Sequence, residues 1–87
     1  GVEKDLNKVF FYAQKWNEDF KSKDLIDLPE PSNRLFIWYV LVTLLINGYG
    51  NDDDVSRKQE IHECLQNIVR VGIELGENDK YYDYGYN

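Results

Sequence analysis

The sequence predicts an all-α fold, a small bundle of three main helices around a fully apolar central helix. The first observation is a run of twelve residues without a charge, LFIWYVLVTLLI at 35–46. The second is that the segments before and after this run repeat apolar residues at steps of three and four, as amphipathic helices do. The run is too short to cross a bilayer, which takes about 20 apolar residues. We therefore expect it to form the core, with a short fourth helix or an ordered C-terminal tail as a further element.

Length and charge limit the classes of function. The 87 residues predict a single helical domain over residues 1–87, and an apolar content of 43% is enough for a core. Of the net charge of −6, residues 1–34 contribute −1 (six bases, seven acids) and residues 35–87 contribute −5 (four bases, nine acids). Because phosphates and anionic lipids are also negative, we expect neither nucleic acid nor a membrane as a direct partner.

Two features bear on the cellular compartment. Cys64 is the only cysteine, which excludes a disulfide within the chain. The first residues, GVEKDLNK, are polar and do not have the pattern of a signal peptide. We therefore expect the protein to act in the cytoplasm, either of the cell that produces it or of a host cell.

The first helix is predicted at about residues 3–21. Its apolar positions fall on one stripe at 100° per residue, which is typical of an amphipathic helix. They are Leu6, Val9, Phe10, Ala13, Trp16 and Phe20. Phe11 and Tyr12 lie off this stripe. We expect either that another element covers these two rings or that they contact a partner, since aromatic side chains are favoured at interfaces.

The second helix is predicted at about residues 33–47. Two prolines precede it and exclude a continuous helix from the first segment, while Ser32 or Asn33 is the expected N-cap. At the other end, Asn47 and Gly48 predict a left-handed C-cap. The many β-branched residues leave a strand as the alternative, but the length of the run and its two caps favour a helix.

A helix that is apolar on all sides must also be covered on all sides. The least apolar sector of the central helix contains Phe36, Tyr39, Val40, Thr43 and Asn47. We expect the apolar connection at residues 22–32, the C-terminal tail, a fourth helix or a second copy of the chain to cover this sector. A homodimer is thus one of the predicted arrangements.

The third helix is predicted at about residues 54–75. Its apolar face should consist of Ile61, Cys64, Leu65, Ile68, Val69, Gly72 and Leu75. Within this face, Gly72 predicts the close approach of another helix, at a cost of about 1 kcal/mol relative to alanine. Gly76 is the expected C-cap, and residues 77–87 are then an acidic, tyrosine-rich tail.

Three aspartates precede the third helix. Asp52, Asp53 and Asp54 complement the positive end of the helix dipole, and Ser56 followed by Gln59 fits a capping box. A calcium loop is the alternative, but the alternating acids, central glycine and late glutamate of such a loop are missing. The sequence therefore predicts a capped helix start and no metal site.

No catalytic motif is present. His62 and Glu63 begin a sequence similar to the zinc-protease helix, but the second histidine that this motif needs is replaced by Gln66 and the chain has no other histidine. Cys64 lies two residues from His62 on the predicted helix, so the two side chains point in different directions and form no nucleophilic pair. We expect a protein that is not an enzyme and that uses neither a metal nor another cofactor.

The predicted partner-binding surface combines carboxylates and tyrosines. Carboxylates can take the place of phosphates in a basic cleft, and tyrosine gives a large contact area at a low entropic cost. The candidate residues are Asp52, Asp53, Asp54, Glu74, Glu77, Asp79, Tyr81, Tyr82, Asp83, Tyr84 and Tyr86. The alternative is that the tyrosines complete the core instead of binding a partner.

These observations favour a small acidic protein that inhibits a positively charged, nucleic-acid-acting protein such as a nuclease or a CRISPR effector. Nuclease immunity proteins, phage antagonists of restriction or CRISPR systems and nucleic-acid mimics are of this general type. The chain is similar to colicin-type immunity proteins in length, in its acidic helices and in having a tyrosine pair, but it does not reproduce their motif in order. The alternative function is a non-catalytic, homo-oligomeric structural or assembly subunit.

Overall fold

The computed structural model describes residues 1–24, 27–50 and 52–86, of which residues 78–86 are described by their backbone alone. It contains three helices: α1 at Val2–Ser22, α2 at Pro31–Ile46 and α3 at Asp54–Tyr86. All regular secondary structure in these residues is helical. The predicted all-α bundle of three helices around a central apolar helix is therefore confirmed.

The central helix α2 supplies most of the core. Of the ten buried apolar residues among those whose side chains the structure describes, six belong to it: Ile37, Trp38, Leu41, Val42, Leu44 and Leu45. The remainder come from α1, with Phe10 and Ala13, and from α3, with Cys64 and Val71. Within the described residues, α1 and α3 each pack against α2 and do not approach each other. The bundle is thus held together by α2 alone.

Trp38 joins α1 to α2 through both polar and apolar contacts. Its indole Nε1–H donates a hydrogen bond to Asn17 Oδ1 on α1 at 3.0 Å, and its ring meets Phe20 edge to face with centroids 6.1 Å apart. The guanidinium of Arg34 lies 6.0 Å from the same ring and donates through Nε to Pro29 O. Trp38 is buried, and the hydrogen bond to Asn17 gives a partner to the only polar atom of its side chain.

The predicted cap of α2 is confirmed at its C-terminal end and is wrong at its N-terminal end. The predicted N-cap at Ser32 or Asn33 is wrong, because Glu30 is the N-cap and Pro31 occupies the first helical position, where its missing N–H costs nothing. The left-handed C-cap is present at Gly48, whose φ is +94°. The amides of Gly48 and Tyr49 donate to the carbonyls of the last turn, as in a Schellman motif.

The third helix is longer than predicted. Gly76 does not end α3, which continues to Tyr86, and positive φ values among the described residues occur only at Gly48 and Gly50. A glycine permits the left-handed conformation but does not require it, and its cost within a helix is only about 1 kcal/mol. The predicted tail is therefore helical in its backbone through Tyr86.

The buried face of α3 is also rotated relative to the prediction. Val71 is 1% exposed although it was not predicted to be buried, whereas Leu65 and Val69 are 45% and 59% exposed. No atom of a neighbouring element lies within 4 Å of the position that a Cβ on Gly72 would take. The predicted close approach at Gly72 is therefore wrong, because α2 packs against the side of α3 that carries Cys64 and Val71.

The predicted covering elements leave part of α1 and α2 exposed. Phe11 and Tyr12 are 61% and 55% exposed, so the expectation that another element covers them is wrong within the described residues. Leu28, in the connection before α2, is partly buried. Leu25 and Ile26, which were expected to fold over the core with it, lie outside the described residues.

We predict that replacing Leu41 with aspartate abolishes folding. The side chain is 2% exposed, and an unpaired buried carboxylate costs several kcal/mol, comparable to the roughly 5–10 kcal/mol that stabilises a domain of this size. Far-UV circular dichroism and thermal melting measure the outcome. The matched control Leu65→Asp, at a half-exposed site, should keep its helical spectrum, and a native melt for Leu41→Asp would contradict the core assignment.

Candidate interaction surfaces

The first candidate surface is the acidic start of α3, where Asp52, Asp53 and Asp54 are all exposed. The carboxylate of Asp53 accepts hydrogen bonds from the Val55 amide at 3.3 Å and from the Ser56 hydroxyl at 2.7 Å. Asp53 thus caps the helix, and Ser56 lies in its first turn. The predicted capping box with Ser56 as N-cap is therefore wrong, because the N-cap is Asp53, three residues earlier.

Hydrogen bonds at this helix start favour the ionised carboxylate of Asp53. The Ser56 hydroxyl lowers the pKa of Asp53 below its ordinary value, with further contributions from the backbone amides and from Arg57. Asp54 forms an ion pair with Arg57. Two of the three aspartates are consequently engaged in forming the helix start, whereas the carboxylate of Asp52 has no such role among the described residues.

The predicted partner-binding residues do not form one cluster. Glu74 and Glu77 are exposed, but they lie at least twenty residues along α3 from Asp54, which corresponds to about 30 Å at 1.5 Å per residue. The side chains of Asp79, Tyr81, Tyr82, Asp83, Tyr84 and Tyr86 lie outside the described residues. The structure therefore separates the acids into two groups on one long helix.

A second candidate surface is formed by Phe36, Tyr39, Thr43 and Ile46, here called the outer face of α2. Phe36, Tyr39 and Ile46 are 65%, 67% and 67% exposed, and Thr43 is exposed as well. Phe36, Tyr39 and Thr43 belong to the sector that the sequence predicted to be covered. In the described part of the single chain, no element covers them.

Exposed apolar residues on α1 and α3 flank the outer face. Trp16, 51% exposed, lines one cavity of about 450 Å³ together with Phe36. By helix geometry, Val9 and Tyr12 lie on the same side of α1 as Trp16. On α3, Leu65 and Val69 lie on the opposite side of the buried stripe from the residues that face α1. Exposed apolar side chains therefore lie on both of the helices that pack against α2.

The other side of α2 carries a groove between α1 and α3 with a volume of about 560 Å³. Lys15 and Lys21 lie along its α1 wall, and Glu60 and Glu63 lie along its α3 wall. Leu41, Leu45 and Cys64 line its floor, but these three residues are at most 4% exposed. The groove therefore has a charged rim, and the exposed ring of Phe11 supplies apolar area beside it.

The only thiol is poorly suited to nucleophilic chemistry. Burial raises the pKa of Cys64, and the nearby carboxylates of Glu60 and Glu63 raise it further. His62 is exposed, so the two side chains do not meet. Among the described residues, no group of three or more histidine, cysteine, aspartate or glutamate side chains is arranged to hold a metal ion. The same part of the chain contains no helix of the length and apolarity needed to span a membrane.

Comparison with known proteins gives no further assignment: no protein-family model, curated protein or solved structure matches the chain.

We predict that Ser56→Ala raises the pKa of Asp53 toward the ordinary value of about 3.9, because the mutation removes the hydroxyl that stabilises the carboxylate. Titration of the side-chain carboxyl carbon by NMR measures this change. A lowered pKa in the folded state stabilises the protein above the unfolded-state pKa, and that contribution is lost as the pH falls through the folded-state value.

Ser32→Ala serves as the control, since Ser32 is exposed near the start of a different helix. It should leave the titration of Asp53 unchanged. An ordinary Asp53 pKa in the unmodified chain would show that the cap does not form.

Proposed function

We propose that the chain is a small, non-catalytic binding protein that inhibits a basic, nucleic-acid-acting protein by occupying its cleft. The observation that carries the proposal is the array of acids along α3. Including Asp52 and Asp53, residues 52–86 hold nine acids and four bases, a net charge of −5. The 33 residues of α3 extend over about 50 Å, so this charge is spread along a rod instead of being collected in a pocket.

A rod of this kind suits a cleft that binds nucleic acid. Such clefts present lysine and arginine along a groove, and carboxylates spaced along a helix can take the positions that phosphates would occupy. The exposed carboxylates of Asp52, Glu74 and Glu77 are the described candidates, and the tyrosines at 81, 82, 84 and 86 would supply desolvated anchors. Opposite charge would speed association and make it weaken as salt is added.

The alternative function is a non-catalytic, homo-oligomeric structural or assembly subunit. The exposed outer face of α2 favours it, since monomeric proteins rarely leave contiguous apolar patches of more than a few hundred Å² in water. In that case the acids of α3 would serve only to keep the assembly in solution.

The direct experiment is a pull-down with the tagged chain from a nuclease-treated extract of its native context, at low and moderate salt. Capture of one basic protein, followed by stoichiometric inhibition of the nucleic-acid cleavage or binding of that purified protein, would support the proposal. Capture without inhibition, or recovery of the bait alone, would contradict it.

We predict that the triple variant Asp52→Asn, Glu74→Gln, Glu77→Gln slows association with the captured protein by about tenfold at low salt, because removing facing charges weakens long-range attraction. All three side chains are exposed, so the fold should be retained. Surface plasmon resonance at two salt concentrations measures the rate.

The matched control is Asp19→Asn, Asp24→Asn, Asp27→Asn, which are also exposed. Both triple variants remove three acids and change the net charge from −6 to −3. An equal fall in the association rate of the two variants would mean that net charge alone, and not the acids of α3, steers the partner.

We further predict that deleting residues 80–87 leaves the melting temperature unchanged but weakens capture, because the deletion removes the four clustered tyrosines. Differential scanning calorimetry and the same binding assay measure the two effects. A clear fall in melting temperature would instead show that this segment stabilises the core.

A further inference from the structure

We propose that the outer face of α2 is a homodimer interface, in which two copies of the chain pack α2 against α2 about a two-fold axis. This inference is independent of the proposed inhibition, because the acids of α3 are not needed for the contact. Its basis is the spacing, charge, hydrogen bonding and area of the face.

The spacing of the face fits a helix pair. Phe36, Tyr39, Thr43 and Ile46 are separated by three, four and three residues, which is the a/d spacing of a heptad seam. Such a stripe remains along one side of a helix and allows side chains of one copy to enter the spaces between those of the other. Three of its four side chains are about two-thirds exposed in the single chain, so they are free to do so.

The charge of the face favours a second copy as its occupant. A two-fold axis places the same patch of both copies together, so any charge on the face would meet a like charge. The only charged residue of α2 is Arg34, and its guanidinium is turned toward Pro29 O and the Trp38 ring. A basic partner, in contrast, would be attracted to acids, and α2 contains none.

The polar groups of the face are already satisfied within the helix. The Thr43 hydroxyl donates to Tyr39 O at 2.9 Å, and the Asn47 side chain donates to Thr43 O at 2.7 Å. Burying the Thr43 hydroxyl under a second copy would therefore leave its donor paired, which avoids the main cost of covering a polar atom. The Tyr39 hydroxyl can remain at the edge of the contact in water.

The exposed area is large enough for a dimer. Tyr12, Trp16, Phe36 and Tyr39 are each between 51% and 67% exposed, and aromatic side chains present roughly 150–250 Å² each, so these four offer on the order of 450 Å². The aliphatic residues of the face and its flanks add to this area. The total approaches the roughly 800 Å² per partner of a standard interface.

Sedimentation velocity of the full chain tests the proposal. We expect a species of twice the 10.3 kDa chain mass that dissociates on dilution. Phe36→Lys should weaken dimerisation at least about tenfold, because it places a charge inside an apolar contact. Ile46→Lys, at the other end of the face, provides a second variant should Phe36→Lys lose its helical spectrum.

Phe11→Lys is the matched control. Phe11 is 61% exposed, close to the 65% of Phe36, but it lies at the groove on the other side of α2. It should leave the dimer unchanged. A chain that stays at 10.3 kDa up to about 1 mM, where even the weakest specific contacts form, would overturn the proposal. Dissociation by Phe11→Lys with Phe36→Lys unaffected would also overturn it.

Salt separates this proposal from the inhibition described above. The outer face of α2 carries no charged side chain and each copy carries −6, so raising salt should screen the repulsion between copies and leave the dimer equal or stronger. Capture of a basic partner should weaken under the same change. A dimer that dissociates as salt rises would overturn the apolar interface, whatever the outcome for inhibition.

Discussion

The structure depends on one constraint: α2 is apolar on all sides, but only two helices pack against it. Each neighbour covers a stripe of roughly 100°, so α1 and α3 bury the side of α2 that carries Leu41 and Leu45 and leave the opposite side in water. The pairing of Trp38 with Asn17 fixes α1 on this shared side. Because α1 and α3 both depend on α2, the charge-free run at 35–46 determines the fold and also the surface that the fold leaves open.

The placement of charge follows the same division. The central helix α2 contains no acids, and the acids of the second half of the chain lie on α3 and at its start. At that start Asp53 has a structural role as the cap, which the hydrogen bonds from Val55 and Ser56 show directly. The acids farther along α3 have no such role in the described residues. This contrast separates carboxylates that build the helix from those that are free to meet a partner.

The three helices and the buried position of α2 could be predicted from the sequence, because a long apolar run and two amphipathic segments allow few other arrangements. It was not sufficient for the face of α3. Val69 and Val71 are equally apolar, and only the position of α2 determines that Val71 is buried and Val69 exposed. The prediction that α3 ends at Gly76 was wrong for a related reason. A glycine lowers helix stability only slightly, so this local signal did not determine where the helix ends. The candidate acids could be named from the sequence. Their distances from one another could not, because those distances depend on α3 continuing past Gly76.

The two candidate surfaces are chemically unlike and therefore compatible. The outer face of α2 lacks charge and suits a copy of itself, while α3 carries seven of the nine acids at residues 35–87 and suits an opposite charge. Joining two copies through α2 would give an assembly that carries twice the net charge of −6. Because steering grows with the charge of the approaching molecule, such a dimer would attract a basic cleft more strongly than one chain does. In this way dimerisation through the uncovered side of α2 would strengthen the attraction between the acids of α3 and a basic cleft.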